Sequence, residues 1–215
     1  LPGDALLAEI PATTKVVPVG KRCGVHSMTQ DEINIVLVRE ASQGGLIVRL
    51  KGGDPGVFGR LGEEMDHLAA HGINFEVVPG VTAATAAGAD AAFPLTHRGK
   101  AASVTFLTGH CADGTDQNWK AHVETGATLC LYMGAKALPS VATKLIAAGA
   151  KADLPIRLLS KVSQEGASDV LTTLTDLASG KVDVSVLPTP LIAVVGAVVA
   201  PPRHAGLMGR IAAFS

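Results

Sequence analysis

Short runs of apolar residues alternate along the chain with longer segments in which apolar residues recur every three or four positions. The runs have the length of buried β-strands, and the longer segments have the spacing of amphipathic helices. In the first half we predict strands at 15–19, 46–50 and 75–78, with helices at 29–42 and 61–71 between them. This alternation is typical of a parallel sheet with crossover helices.

Local signals place the ends of the helices. Thr29 stands where an N-cap is expected, and Glu32 follows three residues later, which together form a capping-box pattern. Gly72 ends the second helix, because glycine readily adopts the left-handed conformation found at helix ends. After the third predicted strand, the turn at 79–84 opens a helix of small residues.

The second half of the chain repeats this rhythm. We predict strands at 103–108, 128–133, 155–160 and 191–195, and helices at 136–148 and 172–178. A cluster of Pro, His, Arg, Gly and Lys at 94–100 marks a boundary between the two halves. The sequence therefore predicts an α/β protein with two lobes, residues 1–100 and residues 101–215.

Composition narrows the class of protein. Of 215 residues, 47% are hydrophobic and only 3% are aromatic, so the core is expected to consist of Ala, Val, Leu and Ile. This apolar content excludes fibrous and disordered proteins. Lys and Arg number 18 against 19 Asp and Glu, a balance that is not expected of a nucleic-acid-binding protein.

The lengths of the apolar runs and the number of cysteines indicate the cellular compartment in which the protein is expected. The longest apolar run, 191–200, is too short to span a bilayer, and the chain opens without the basic segment of a signal peptide. The three cysteines are few and widely spaced, which favours a reducing, cytoplasmic compartment and no cysteine-based metal site. Cys130 lies in an apolar run and is expected to be a small core residue.

Three strand ends have the composition of ligand-binding loops: the glycine-rich loop 51–60, the turn 79–84 and the segment 132–134. The carboxyl ends of strands form the ligand crevice in open parallel sheets, and glycines let backbone N–H groups approach a ligand closely. Asp54 is placed to accept a hydrogen bond from an amine or hydroxyl. The loop has neither the Walker A pattern nor the Rossmann fingerprint, so these patterns alone indicate a small-molecule cleft or merely tight turns.

Basic side chains cluster beside the same strand ends. They are Lys21, Arg22, Arg49, Lys51, Arg60, His97, Arg98 and Lys100. Such a cluster favours a polyanionic substrate, although an ordinary surface charge explains each residue equally well. His67 and His71 lie four residues apart, a spacing that can hold a metal, but two histidines alone more often lie on a solvated face. We therefore expect no metal.

A series of short motifs occurs in a fixed order along nearly the whole chain. They are Val-Gly-Lys-Arg at 19–22, Val-His-Ser at 25–27, Gln-Asp-Glu-Ile-Asn at 30–34, Val-Arg-Leu-Lys-Gly-Gly-Asp-Pro at 48–55, Phe-Gly-Arg at 58–60, Glu-Glu at 63–64, Val-Val-Pro-Gly-Val-Thr-Ala-Ala at 77–84, Pro-Leu-Thr-His-Arg at 94–98, Thr-Phe-Leu-Thr-Gly-His at 105–110 and Tyr-Met-Gly at 132–134. In this order they resemble the uroporphyrinogen-III C-methyltransferases of the tetrapyrrole methylase family. The resemblance implies two αβα lobes of the class III methyltransferase type, an active site in the cleft between them, and a homodimer.

The resemblance also implies a reaction. Members of this family use S-adenosylmethionine to methylate uroporphyrinogen III at C2 and C7, which gives precorrin-2 and S-adenosylhomocysteine. Precorrin-2 leads to sirohaem, cobalamin or haem d1. The cofactor is already an activated methyl donor, so the enzyme mainly has to align donor and acceptor and exclude water.

The family's functional residues carry over by position. Cofactor contacts fall on Gly52, Gly53, Asp54, Val57, Thr82, Ala83, Met133 and Val162. The proposed proton donor falls on Lys21. We assign the substrate's carboxylates to Arg22, Lys51, Arg60, His97 and Arg98.

The sequence departs from the family pattern in two places. Relatives have a strand, a glycine-rich loop and a helix upstream of the position of Leu1, so we expect the printed sequence to be trimmed; without that strand, neighbouring backbone is left unpaired. Val162 stands where relatives have glycine, and 172–174 reads Thr-Thr-Leu where relatives have Gly-Thr-Leu. Two alternatives stay open: a methylase of a later precorrin, and a catalytically inactive module that binds S-adenosylmethionine or a tetrapyrrole.

Overall fold

The computed structural model describes residues 3–20, 28–109 and 116–200. The chain divides into two compact units, Leu1–Thr82 (unit 1) and Ala83–Ser215 (unit 2). The lobe boundary at residue 100 stays a prediction. Among the residues described, none of the helices has the length and apolarity needed to cross a bilayer.

Unit 1 contains the helices α1 (Asp4–Ala8), α2 (Gln30–Ala41) and α3 (Leu61–Ala70). The capping box of α2 is present: the Glu32 N–H donates to the Thr29 hydroxyl, and the Thr29 N–H donates to the Glu32 carboxylate at 2.6 Å. These bonds satisfy N–H groups that a helix start otherwise leaves without partners. The predictions of α2 and α3 are confirmed, whereas α1 was not predicted.

The three strands predicted in unit 1 are wrong. Segments 15–19, 46–50 and 75–78 form no ladder hydrogen bonds, and the described part of unit 1 contains no sheet. Leu46 and Val48 are 90% and 72% exposed, although their apolar pattern is that of buried strands. The physical reason is that an apolar run becomes a strand only when a neighbouring strand pairs with its backbone, and none does so here.

Unit 2 is built on one five-stranded sheet. Its strands are β1 (Val104–Thr108), β2 (Thr128–Tyr132), β3 (Pro155–Ser160), β4 (Ser168–Thr173) and β5 (Leu191–Val195), in the order β1-β2-β5-β3-β4. Only β1 and β2 pair in parallel. The predicted parallel sheet is therefore wrong for this unit, because β5 inserts antiparallel between β2 and β3.

The helices of unit 2 are α4 (Ala83–Asp90), α5 (Trp119–Glu124), α6 (Leu138–Ala147) and α7 (Leu174–Ala178). A 3-10 turn, Ala135–Ala137, precedes α6, so the predicted helix at 136–148 is confirmed with a tighter first turn. The helix predicted at 172–178 begins later, because its first two residues end β4. That edge strand was missed because its sequence, Ser-Asp-Val-Leu-Thr-Thr, has only two apolar residues and therefore offers no apolar run.

The core of unit 2 is aliphatic, as the composition predicts. Its buried side chains include Leu129, Leu131, Leu138, Leu145, Ile156, Leu158, Leu174 and Leu177. Cys130 is fully buried, and burial raises the pKa of its thiol to about 12, so it stays neutral and packs as a small apolar residue. The expectation for Cys130 is confirmed.

Candidate functional site

The glycine loop, residues 51–60, is joined to the turn at 79–82 by one carboxylate. The Asp54 Oδ1 accepts the N–H of Gly56 at 2.8 Å, and its Oδ2 accepts the N–H of Gly80 at 3.0 Å. Both oxygens therefore already have backbone partners. Hydrogen bonds to an ionised acceptor are stronger than neutral ones, so Asp54 fixes the distance between the loop and the turn.

The backbones of loop and turn also touch directly. A Cβ on Gly80 would lie 2.6 Å from the Gly53 carbonyl oxygen, so only glycine fits there. Gly53 has a φ of +90° and lies beside Val81 and Thr82. Gly52 and Gly53 are exposed. The structure thus brings together four of the predicted cofactor contacts, namely Gly52, Gly53, Asp54 and Thr82, and Val57 follows in the same loop.

A buried carboxylate holds the ends of the glycine loop. The side chain of Glu64, on α3, is 4% exposed and pairs with the ammonium of Lys51 at 2.8 Å and with Arg49 at 3.3 Å. Gln30, on α2, donates to the same carboxylate at 3.2 Å. Lys51 also donates to the carbonyl of Gly59, so it joins both ends of the loop.

The geometry gives Lys51 an internal partner. Its ammonium is largely buried, and its charge is balanced by Glu64, whereas a cation that binds a substrate has to reach that substrate. Gln30 and Glu64 lie in motifs of the resemblance, but sequence reasoning gave them no role and missed the contacts of Glu64 with Gln30 and Lys51. The one available signal was a glutamate on the helix that directly follows a glycine loop containing lysine.

The other predicted substrate contacts in the described residues are exposed. Arg60 pairs with the carboxylate of Glu63 at 2.5 Å, which raises the pKa of Arg60 and lowers the pKa of Glu63. His97 and Arg98 lie in a turn closed by the hydrogen bond from the His97 N–H to the Ala101 carbonyl, 2.9 Å. Lys21 and Arg22 lie outside the described residues.

In unit 2, two further predicted contacts lie at one edge of the sheet. Strands β1, β2 and β3 run in the same direction, because β5 is antiparallel to both β2 and β3. Met133 directly follows β2, has a φ of +54° and is 56% exposed. Val162 lies two residues after β3 and is half-buried. Both residues therefore lie at the carboxyl edge of the sheet.

Helix α4, whose first residue is the predicted contact Ala83, is joined to the same edge at both ends. The hydroxyl of Tyr132 accepts the N–H of Ala84 at 3.1 Å. At the other end, Asp90 accepts the N–H of Ser163 at 2.6 Å and also contacts its hydroxyl. Sequence reasoning missed these contacts, although Tyr132 is the only tyrosine in the chain.

Metal ligands are not grouped in the described ranges. No cluster of three or more His, Cys, Asp or Glu side chains occurs among those residues. The rings of His67 and His71 lie 4.7 Å apart, and Nδ1 of His71 lies 2.8 Å from the carbonyl oxygen of His67. The expectation of no metal stays a prediction.

Comparison with known proteins gives one family. The family model described as Tetrapyrrole (Corrin/Porphyrin) Methylases matches residues 4–178. An S-adenosyl-L-methionine-dependent uroporphyrinogen III methyltransferase from Methanosarcina barkeri is 43% identical over 203 residues, which cover 93% of this chain and 79% of the relative. Siroheme synthase 1 from Yersinia pseudotuberculosis is 46% identical over 84% of this chain.

This chain spans 38% of the length of that siroheme synthase. Among solved structures, the uroporphyrin-III C-methyltransferase of Thermus thermophilus complexed with S-adenosyl homocysteine aligns with a TM-score of 0.70 and 36% identity, covering 79% of this chain and 74% of that one. A cobalt precorrin-4 methyltransferase aligns with a TM-score of 0.79 over 93% of this chain and 81% of its own, at 23% identity, which is a likeness of fold alone.

Proposed function

Because the chain belongs to the tetrapyrrole methylase family, we propose that it transfers methyl groups from S-adenosylmethionine to C2 and C7 of uroporphyrinogen III, giving precorrin-2. The predicted α/β fold of the class III methyltransferases is confirmed by the structural relatives. The observation that carries the proposal is the glycine loop closed by Asp54 against the turn at 79–82, in a chain 43% identical to a relative named for this reaction.

The residues present fit S-adenosylmethionine. The amino acid part of that molecule needs hydrogen-bond donors and acceptors, and the exposed peptide groups of Gly52 and Gly53 supply both. Because both residues are glycine, no Cβ obstructs the approach of a ligand to these peptide groups. The exposed thioether of Met133 offers a soft apolar surface.

When bound, S-adenosylmethionine supplies a sulfonium methyl group that is already activated. The chain's own residues then have to bind, orient and exclude water, since a bound near-attack geometry accounts for much of such a rate enhancement. We assign binding of the cofactor to the peptide groups of Gly52, Gly53, Thr82 and Ala83 and to the side chains of Val57, Met133 and Val162. Asp54 holds the loop in shape and keeps one lone pair on each oxygen for a ligand donor.

The substrate is a macrocycle with many carboxylates, which exposed cations bind well. Arg60, His97 and Arg98 are exposed and stay our candidates for this role. Arg22 stays a candidate as well, and Lys21 is the candidate proton donor. Lys51 is the weakest candidate, because its ammonium is paired with the buried Glu64. We further propose that the protein works as a cytoplasmic homodimer.

The proposal is tested by stoichiometry. The full-length protein is incubated anaerobically with uroporphyrinogen III and S-adenosylmethionine, and S-adenosylhomocysteine and the tetrapyrrole products are quantified by mass spectrometry. We expect two S-adenosylhomocysteines for each precorrin-2. Methylation of precorrin-2 but not of uroporphyrinogen III would identify a later methylase instead. Binding of S-adenosylhomocysteine without turnover would identify an inactive binding module.

A further inference from the structure

We propose that Tyr132 is a positioning residue for the cofactor, acting through the first turn of α4. Its hydroxyl accepts the N–H of Ala84 at 3.1 Å. Each partner of this hydrogen bond is next in the chain to a predicted cofactor contact: Ala83 precedes the donor Ala84, and Met133 follows the acceptor Tyr132. This hydrogen bond thus joins two segments to which we assign cofactor contacts. The inference rests on the proposed function for that assignment.

The hydroxyl is held firmly on its own side. Tyr132 is the last residue of β2, is 9% exposed, and pairs with Thr108 of β1. Its ring packs edge-on against Phe106, with ring centroids 5.7 Å apart. A tyrosine in a strand with neighbours on both sides has little freedom, so its hydroxyl is a fixed point at the carboxyl edge of the sheet.

The Tyr132 hydroxyl supplies a hydrogen-bond acceptor at the start of α4, where the helix has none of its own. The first N–H groups of a helix have no carbonyl partner within the helix, so each needs another acceptor when buried. Ala84 is fully buried, out of reach of bulk water. Removing the hydroxyl therefore leaves a buried N–H without this acceptor, which costs more than the bond itself contributes.

Backbone packing prevents Met133 from following a displaced helix. A Cβ on Gly109 would lie 2.2 Å from the Cα of Gly134, so the chain after Met133 is pressed against the chain after β1. At the far end of α4, Asp90 accepts hydrogen bonds from Ser163 in the loop that follows β3. With that end fixed, loss of the Tyr132 hydroxyl frees mainly the first turn, where Ala83 lies.

The experiment compares Tyr132→Phe with the full-length wild-type protein. Phenylalanine keeps the ring and its contact with Phe106 and removes only the hydroxyl. The matched control is Thr128→Val, at the other end of β2, where a fully buried hydroxyl has no hydrogen-bond partner among the described residues. The readouts are amide hydrogen exchange of α4 without ligand, the Kd for S-adenosylhomocysteine, and the separate KM values for the two substrates.

We expect Tyr132→Phe to speed exchange at the start of α4 and to raise the Kd for S-adenosylhomocysteine and the KM for S-adenosylmethionine about five- to tenfold, the effect of one lost buried hydrogen bond. The KM for uroporphyrinogen III should stay within twofold of wild type, and Thr128→Val should match wild type in all readouts. A general loss of folded protein would instead lower the apparent kcat and leave both KM values unchanged.

Two results would overturn the inference. Unchanged exchange of α4 in Tyr132→Phe would show that the hydroxyl does not hold the helix. Faster exchange with an unchanged Kd would show that the helix does not position the cofactor. Failure of the wild-type protein to bind S-adenosylhomocysteine at all would instead refute the proposed function and with it the cofactor role of Tyr132, while the exchange data would still decide whether the hydroxyl holds α4.

Discussion

The two units hold their candidate site segments by different means. In unit 2, Met133 and Val162 follow strands of a five-stranded sheet whose ladder fixes their positions. In the described part of unit 1 no ladder is present, and the glycine loop is held by side chains, chiefly the carboxylates of Asp54 and Glu64. A segment held by many backbone hydrogen bonds should keep its position after a single side-chain substitution. A segment held by one carboxylate should lose its position when that carboxylate is removed.

The largest effect is expected for Asp54→Ala. This change removes the acceptor of the Gly56 N–H within the loop and the acceptor of the Gly80 N–H in the turn, so the Kd for S-adenosylhomocysteine should rise about a thousandfold, or about 4 kcal/mol, as for two lost charge-assisted hydrogen bonds. Calorimetric titration measures it. The control is Asp66→Ala, which removes an exposed carboxylate from α3. Equal affinities of the two variants for S-adenosylhomocysteine would show that the glycine loop does not depend on the carboxylate of Asp54.

A smaller effect is expected for Glu64→Gln, which removes the carboxylate that pairs with the largely buried ammonium of Lys51. The free energy of unfolding should fall by about 3 kcal/mol, since breaking one side of a buried ion pair leaves the other charge uncompensated. The matched change in the sheet is Asp169→Asn, which breaks the more exposed pair with Arg157 between β3 and β4.

Denaturant unfolding of both variants measures the contrast. Asp169→Asn should cost about 0.5 kcal/mol, because an exposed ion pair contributes little and the ladder between β3 and β4 remains. Equal losses in the two variants would contradict the view that unit 1 depends more heavily on single side chains.

The ion pairs of Glu40 in unit 1 should make the free energy of unfolding depend on pH. Hydrogen bonds from Lys15 and Arg39 lower the pKa of Glu40 below its ordinary value of 4.5. A lowered pKa in the folded state stabilises the protein above the ordinary value, and that contribution is lost as the pH falls through the folded-state pKa. Glu40→Gln should therefore flatten the fall in unfolding free energy below about pH 5. An unchanged pH profile would show that these pairs do not contribute.

The smallest effect is expected at Cys130, inside the sheet. Its pKa of about 12 keeps the thiol neutral, and its burial excludes reagents. Iodoacetamide at pH 8 should leave Cys130 unmodified in the native protein and alkylate it in denaturant, as peptide mass spectrometry would show. Rapid alkylation in the native protein would mean that the sheet of unit 2 opens far more readily than its packing indicates.

Local signals predicted local structure well. The capping residues of α2 and the bounds of β3 and β5 follow from patterns within about ten residues, since capping and burial of a short apolar run are decided there. The prediction of strands in unit 1 was wrong because strand pairing depends on a partner that is distant in sequence. For the same reason the antiparallel insertion of β5 was not predicted, since run length does not reveal strand direction.

In the candidate site as well, sequence reasoning identified local features and missed contacts between residues far apart in the chain. Motif resemblance found the loop at Gly52–Gly53 and the exposed Met133, because each is a short segment with its own composition. It missed the contacts that hold them, such as Tyr132 with Ala84, which join residues far apart in the chain. Short motifs thus suggest candidate ligand contacts more readily than they reveal the long-range contacts that hold those candidates in place.

We propose above all that the glycine loop closed by Asp54 binds the methyl donor. The most direct measurement is a crystal structure of the full-length protein with S-adenosylhomocysteine. We expect hydrogen bonds between the ligand and the peptide groups of Gly52 and Gly53, with Asp54 still joined to Gly56 and Gly80. A ligand bound away from this loop, in crystals where the loop is free of neighbouring molecules, would contradict it.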